Sequence, residues 1–315
     1  MTIQTVTGPI AVDEVRLADA HAHVWIEPPE GVAPEAALRL HDAEAIRAEL
    51  NDFYSAGGTI LIDCQPGGCG RNGNRLAELA RATGVHITAT TGFHQQKYYP
   101  PEHWLWSASA EEAASYFIEE LTVGMRETGN TIRATTIKVG YEGVISGQTR
   151  ILMEAAAEAS RRTGALLLFH TERGKGVEAL VPFFEDSGVS ARRLYMCHVD
   201  KRADVGLHRE LAQAGVLLGY DTFARPKYHP DRGVWPLLEI LVAEGLEAQI
   251  AIGLDMALAS MWRHFGGHPG LDFLPHHVVP RLRAMGIPEP AIRKLTATNI
   301  AQYLVWQTGE LKDWT

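Results

Sequence analysis

The chain has 315 residues, of which 46% are hydrophobic and 21% charged, with a formal net charge of -9. That composition supports a large folded core and excludes an extended disordered chain. The negative balance gives no global field for nucleic acid or anionic lipid, and leaves local basic clusters to hold small anions.

The length is compatible with one α/β barrel domain over residues 1–315. The opening MTIQTVTGPIAVDEVRL has no basic stretch followed by an apolar core. No run of about 18 apolar residues occurs anywhere, so no membrane span is expected. Cys64, Cys69 and Cys197 form no CxxC pair and are expected to be reduced, buried thiols in a cytoplasmic protein.

Eight short runs rich in Val, Ile, Leu and Thr read as strands: Val15 to Ala20, Thr59 to Cys64, His86 to Thr91, Thr135 to Val139, Ala165 to Phe169, Leu194 to Cys197, Val216 to Tyr220 and Ile250 to Leu254. Between them lie helical patterns such as AEAIRAELNDFYSAG, NRLAELARATG, EEAASYFIEELTVGMRETG, TRILMEAAAEASRRTG and WPLLEILVAEG. Several close on a glycine suited to end a helix. Eight alternating β/α units predict a (β/α)8 TIM barrel. Its longest irregular segments, Gln95 to Ser107, Asp221 to Gly233 and Met256 to Pro275, follow strands and belong at the carboxyl end, where this fold carries its chemistry.

The chemistry-bearing residues sit at those same strand ends. His21 and His23 lie one residue apart, so strand alternation points both imidazoles to one side. His170 follows LLLF, His198 follows LYMC, and Asp255 follows AIGL. Each alone is an ordinary hydrogen-bonded polar residue, but five converging on one barrel mouth form a donor set for zinc, with manganese, cobalt and iron also compatible. Two cations there favour a further anionic bridge between them, and Lys138, after the run TTI, is the candidate. A deprotonated lysine that captures carbon dioxide becomes a carbamate with two ligating oxygens. A plain core lysine or an ammonium in the site are the alternatives.

HAHVW, IRATTIKVG around Lys138, FHTE, CHVDKRAD and GLDMA occur in the order and on the strands seen in the phosphotriesterase-like branch of the amidohydrolase superfamily, which the whole chain resembles. SAGGTILIDC, ELARATGVHITATTGFH, FEDSGVSARRLYMCHVD and LTATNIAQYL add to the resemblance, while Ile300 departs where a proline commonly follows the asparagine. The resemblance implies a binuclear hydrolase. His21, His23 and Asp255 would bind the more buried metal, His170 and His198 the more exposed one, and carboxylated Lys138 would bridge them. It further implies attack by a metal-bridging hydroxide, with Asp255 taking the proton and His198 relaying it through Asp200 or solvent.

For substrate, KYYPPEHW, DTFARPKYHPD and GLDMALASMWRHFGGHPGLDFL resemble relatives that hydrolyse sugar lactones, some phosphorylated. In those relatives a lysine and a tyrosine follow strand seven and an arginine follows strand eight, where this chain has Lys227, Tyr228 and Arg263. Arg225 and Lys97 add positive charge in the same loops. The alternatives are a phosphotriesterase or an acyl-homoserine lactonase. His94 weakens both, since those relatives tend to carry Trp or Tyr at that place. An alternative of another class is a noncatalytic metal-binding barrel. Trp25, Trp104, Trp106 and Trp262 are read as sealing or walling the mouth, with no catalytic part, and homodimerisation is a family-based expectation.

Overall fold

The computed structural model describes residues 1–305. It opens with an antiparallel hairpin, β1 (Thr2–Thr5) and β2 (Gly8–Ala11). Its strands are too short for the sequence pattern to register. Ile3 and Ile10 from this hairpin pack with Ile60, Leu166 and Leu217 at the amino ends of the central strands, so the hairpin plugs the end of the barrel opposite the histidines.

The central strands are β3 (Ala18–Ala22), β4 (Ile60–Asp63), β5 (His86–Thr88), β6 (Thr90–Phe93), β7 (Thr136–Tyr141), β8 (Leu166–Thr171), β9 (Leu194–Cys197), β10 (Leu217–Tyr220) and β11 (Ile250–Ile252). All pair in parallel, β3-β4-β5 in one ladder and β6 through β11 in sequence in another. Only Ala89 separates β5 from β6, so the two are halves of one strand, and the path has the eight strands expected. The seam between β11 and β3 is carried by Asp255 N–H donating to the His21 carbonyl at 2.9 Å and by Leu254 N–H donating to Asp19 Oδ1 at 3.0 Å. The architecture is a (β/α)8 barrel.

Helices α1 (Ala43–Ser55), α2 (Gly73–Thr83), α3 (Ala110–Thr122), α4 (Gly147–Thr163), α5 (Leu180–Asp186), α6 (Val205–Gln213), α7 (Val234–Ala243) and α8 (Val279–Ala284) follow the eight strands in turn. As the pattern predicts, α2 and α4 end on Gly84 and Gly164 in the left-handed conformation. The third helical pattern ran to Gly129, but α3 stops at Thr122. The buried Arg71 guanidinium binds Glu120 at 2.6 Å and Glu127 at 2.7 Å, and Met125 N–H turns back to the Ile132 carbonyl at 2.7 Å. That tertiary grip folds the tail of the pattern into a separate turn. None of the helices among the described residues is long and apolar enough to cross a membrane.

Gly92, on β6, pairs with Lys138 at φ +93, and a Cβ there would lie 2.1 Å from the Lys138 carbonyl oxygen. Gly92→Ala is therefore expected to force β6 away from β7, lowering stability by about 3 kcal/mol or more in urea unfolding and loosening the Lys138 strand. A midpoint within about 0.5 kcal/mol of wild type would show that the two strands have room to part.

Candidate metal centre

Strand alternation decides which side chains reach the barrel interior. On β8, Leu166 and Leu168 pack in the inner cluster while Leu167 and Phe169 pack against the helices, so His170 inherits the inward parity. On β7, Ile137 and Val139 face the helices, which leaves Thr136 and Lys138 inside. On β3, Ala18 and Ala20 are inner but Ala22 is outer, and a register shift between Asp19 and Ala22 turns His21 and His23 inward. His198 and Asp255 leave their strands at φ 65 and φ 50. For non-glycine residues this left-handed backbone costs about 1–3 kcal/mol and marks sites held for a purpose.

The tautomers follow from the hydrogen bonds. Asp221, the residue after β10, lies 2.9 Å from His21 Nδ1 and 2.8 Å from His198 Nδ1. A carboxylate only accepts, so both Nδ1 atoms carry protons. Although burial opposes it, Cys197, Cys64 and Asp221 raise the His21 imidazole well above its ordinary value, so a metal at its Nε2 would have to displace a proton there. Burial alone would raise the Asp221 carboxyl, but His198 and His21 draw it well below the usual range. Gln65 Oε1 does the same for His23, at 3.0 Å from Nδ1. Burial lowers the His198 imidazole to about 4 and that of His170 to about 3, and holds His23 well below its ordinary value. These are neutral ligand-type imidazoles.

Two groups result. His21 Nε2 and His23 Nε2 stand 3.8 and 3.7 Å from Asp255 Oδ1, and these three residues offer ligand atoms within 4.8 Å of one another. Across Asp255, His198 Nε2 and His170 Nδ1 are 3.1 Å apart. At that distance His170 Nδ1–H donates to the His198 Nε2 lone pair, and a cation between the rings would take both nitrogens in place of that proton. His21 Nε2, His170 Nε2 and Lys138 Nζ are buried without a hydrogen-bond partner. Unpartnered buried nitrogen is costly in a protein interior, and the donor set fits divalent metals.

The mouth opens into a cleft of about 230 Å³. Among the substrate-binding candidates, Arg225, Lys227 and Tyr228 line it and Lys97 and Arg263 do not. Lys97 lies over the Tyr98 ring at 5.0 Å beside an outer cleft, and Arg263 is bound to Asp272 at 2.9 Å. Arg225 grips Asp255 at 2.8 Å, so its charge is already engaged. None of Trp25, Trp104, Trp106 or Trp262 is in the cleft wall. Asp200 does not touch His198. It accepts from Asp221 N–H, Thr222 N–H and the Thr222 hydroxyl, and so shapes the turn that carries Asp221. Asp221, Gln65, Lys201, Tyr98 and Glu172 had no assigned role in the sequence reading. Asp221 and Gln65 were findable as polar residues just past the ends of predicted strands, the signal that exposed Asp255.

The phosphotriesterase family model matches residues 1–304. The chain belongs to the phosphotriesterase family. A phospho-furanose lactonase of Mycoplasmopsis synoviae is 26% identical over 96% of this chain and 91% of its own length. An N-acetyltaurine hydrolase of Bos taurus is 27% identical over 84% of this chain and 78% of its own. The crystal structure of a lactonase from Listeria monocytogenes superposes with a TM-score of 0.91 at 24% identity, covering 98% of this chain and 100% of that one, which shows the shared fold. Members of the phosphotriesterase family carry a binuclear metal centre, and the groups described above are its candidate ligands here.

Because Asp221 fixes two rings at once, Asp221→Asn is expected to weaken metal binding about 10- to 100-fold while leaving the far-ultraviolet circular dichroism unchanged. Chelator competition followed by elemental analysis measures this. Unaltered retention of metal would show that the two rings are oriented by packing alone.

Proposed function

We propose that this member of the phosphotriesterase family is a metal-dependent hydrolase, residues 1–315 forming a single barrel domain, that opens sugar lactones, with phosphorylated ones as the leading class. The observation that carries the hydrolase reading is the convergence of His21, His23, His170, His198 and Asp255 on one mouth, with His21 Nε2 and Lys138 Nζ buried and unpartnered among the described residues. It also argues against a noncatalytic barrel. Zinc is the metal the donor set suits first, with carboxylated Lys138 as the proposed bridge. Bound there, two divalent cations would acidify a water and polarise the lactone carbonyl.

The protein's own groups supply the rest. Asp255 reaches the cleft, and although burial opposes it, His198 and Arg225 keep its carboxylate ionised. In this reading it accepts the proton of the attacking water and returns it to the ring oxygen as the carbon–oxygen bond breaks, giving a hydroxy acid. His198 donates its Nδ1–H to Asp221 and lies 3.7 Å from Asp255 Oδ2, so it helps to hold Asp255 as the anion that takes this proton. The cleft volume suits one sugar ring better than a long acyl chain. At its rim Lys201 and Lys227 each place Nζ 5.0 Å from the Tyr228 ring, a paired cationic site for a phosphate.

The same two lysines suit a sulfonate, and one relative is named an N-acetyltaurine hydrolase, so an N-acyl aminosulfonate amide is the second reading. The three free cysteines, all buried, support a reducing, cytoplasmic setting.

A panel of phosphorylated and plain sugar lactones, acyl-homoserine lactones, paraoxon and N-acetyltaurine, assayed on protein of known metal content, tests this. The expected result is preference for the phosphorylated lactone. Lys201→Ala with Lys227→Ala should raise its KM about tenfold or more and leave the plain lactone within about threefold. Activity confined to the amide would replace the lactone reading. Lys138→Ala should lose metal and activity with the barrel intact, and full activity at normal metal content would sink the bridging role.

A further inference from the structure

His94 follows β6 at the mouth and lines the cleft between Tyr98 and His170, with ring centroids 4.5 and 4.7 Å away. Its Nδ1 accepts the Gln95 backbone N–H at 2.8 Å. An imidazole nitrogen that accepts carries no proton, so the ring is neutral and its proton is on Nε2. That Nε2 makes no hydrogen bond within the protein among the described residues. The ring is held from both ends. His94 N–H donates to the Tyr99 hydroxyl at 2.9 Å, and the His94–Gln95 backbone lies so close to β7 that a Cβ on Gly140 would meet His94 C at 2.6 Å. A ring restrained in position and tautomer, with a free N–H facing the cleft, is a preorganised donor.

We propose that His94 is a specificity-determining residue whose neutral Nε2–H donates a hydrogen bond to a hydroxyl or ring oxygen of the substrate, selecting oxygen-rich rings over apolar ones. It is assigned to the substrate and not to a metal, because its unprotonated nitrogen is already occupied by the Gln95 N–H. An apolar substrate would bury this donor unpaired, and that unmatched partner is what makes polar sites discriminate.

The inference rests on the sugar-lactone reading, and the test separates the two. His94→Phe keeps a flat ring and removes the donor, and His94→Gln supplies an amide N–H. Two readouts are taken at equal metal content: kcat/KM for a polyhydroxylated lactone against its deoxy analogue, and calorimetric binding of the ring-opened sugar acid, which needs no turnover. The expected result is a loss of about 30-fold for the hydroxylated lactone and about tenfold weaker sugar-acid binding in the Phe variant. The deoxy lactone should change by less than about threefold, and Gln should restore part of each loss.

Equal losses on both lactones, unchanged sugar-acid binding, or loss of metal from the Phe variant would each overturn the proposal. Sugar-acid binding that depends on His94 in an enzyme that hydrolyses no lactone would uphold the donor and remove the lactonase reading. Absence of both binding and hydrolysis in the wild type would remove both.

Discussion

One carboxylate organises the centre. Asp221 reaches the Nδ1 atoms of His21 and His198 together, and those rings come from strands that do not pair with each other. By accepting both Nδ1 protons it turns the two Nε2 atoms into the mouth and couples β3, β9 and β10 through a single side chain. Asp200 anchors it in turn by taking the Asp221 and Thr222 backbone N–H groups. Without this arrangement the rings would remain hydrogen-bonded polar residues with no common direction.

Around that core, the barrel provides rigidity and the loops provide selection. His170 and Lys138 are held by continuous parallel ladders, whereas Lys201, Lys227, Tyr228 and Arg225 lie on the short segments after β9 and β10. The electrostatics differ accordingly. Inside, burial keeps His23, His170 and His198 neutral and suited to metal. At the rim, two lysines stack on one tyrosine and suit an anion. A substrate that is polar at the ring and anionic at one end matches both zones.

The eight strands, their parallel order and His170 after its strand were legible because each follows from local pattern: an apolar run, a period of two, and a polar residue at the strand end. His21 and His23 face inward only through the register shift after Asp19, which no period of two foretells. Strand limits were less so. The first ladder begins at Ala18 and not at Val15, since Arg16 and Leu17 donate their backbone N–H groups to the Thr59 hydroxyl. The third strand breaks at Ala89, and the third helix stops early under the pull of Arg71 on Glu127.

Sequence by itself determined the fold class, through periodicity, and the family, through the resemblance of its motifs, and it offered the candidate ligand residues, because these are local properties of the chain. Only the tertiary structure decided which charges reach the cleft. Arg263 and Lys97 read as equals of Lys227, yet Arg263 is bound to Asp272 and Lys97 lies over Tyr98 outside the cleft wall, while Lys201 enters it. It also decided that the carboxylate bonded to His198 is Asp221, whereas the proton relay read from sequence ran through Asp200 or solvent. A long side chain can satisfy its charge with whatever partner the fold brings near, and that partner is set by contacts far apart in sequence.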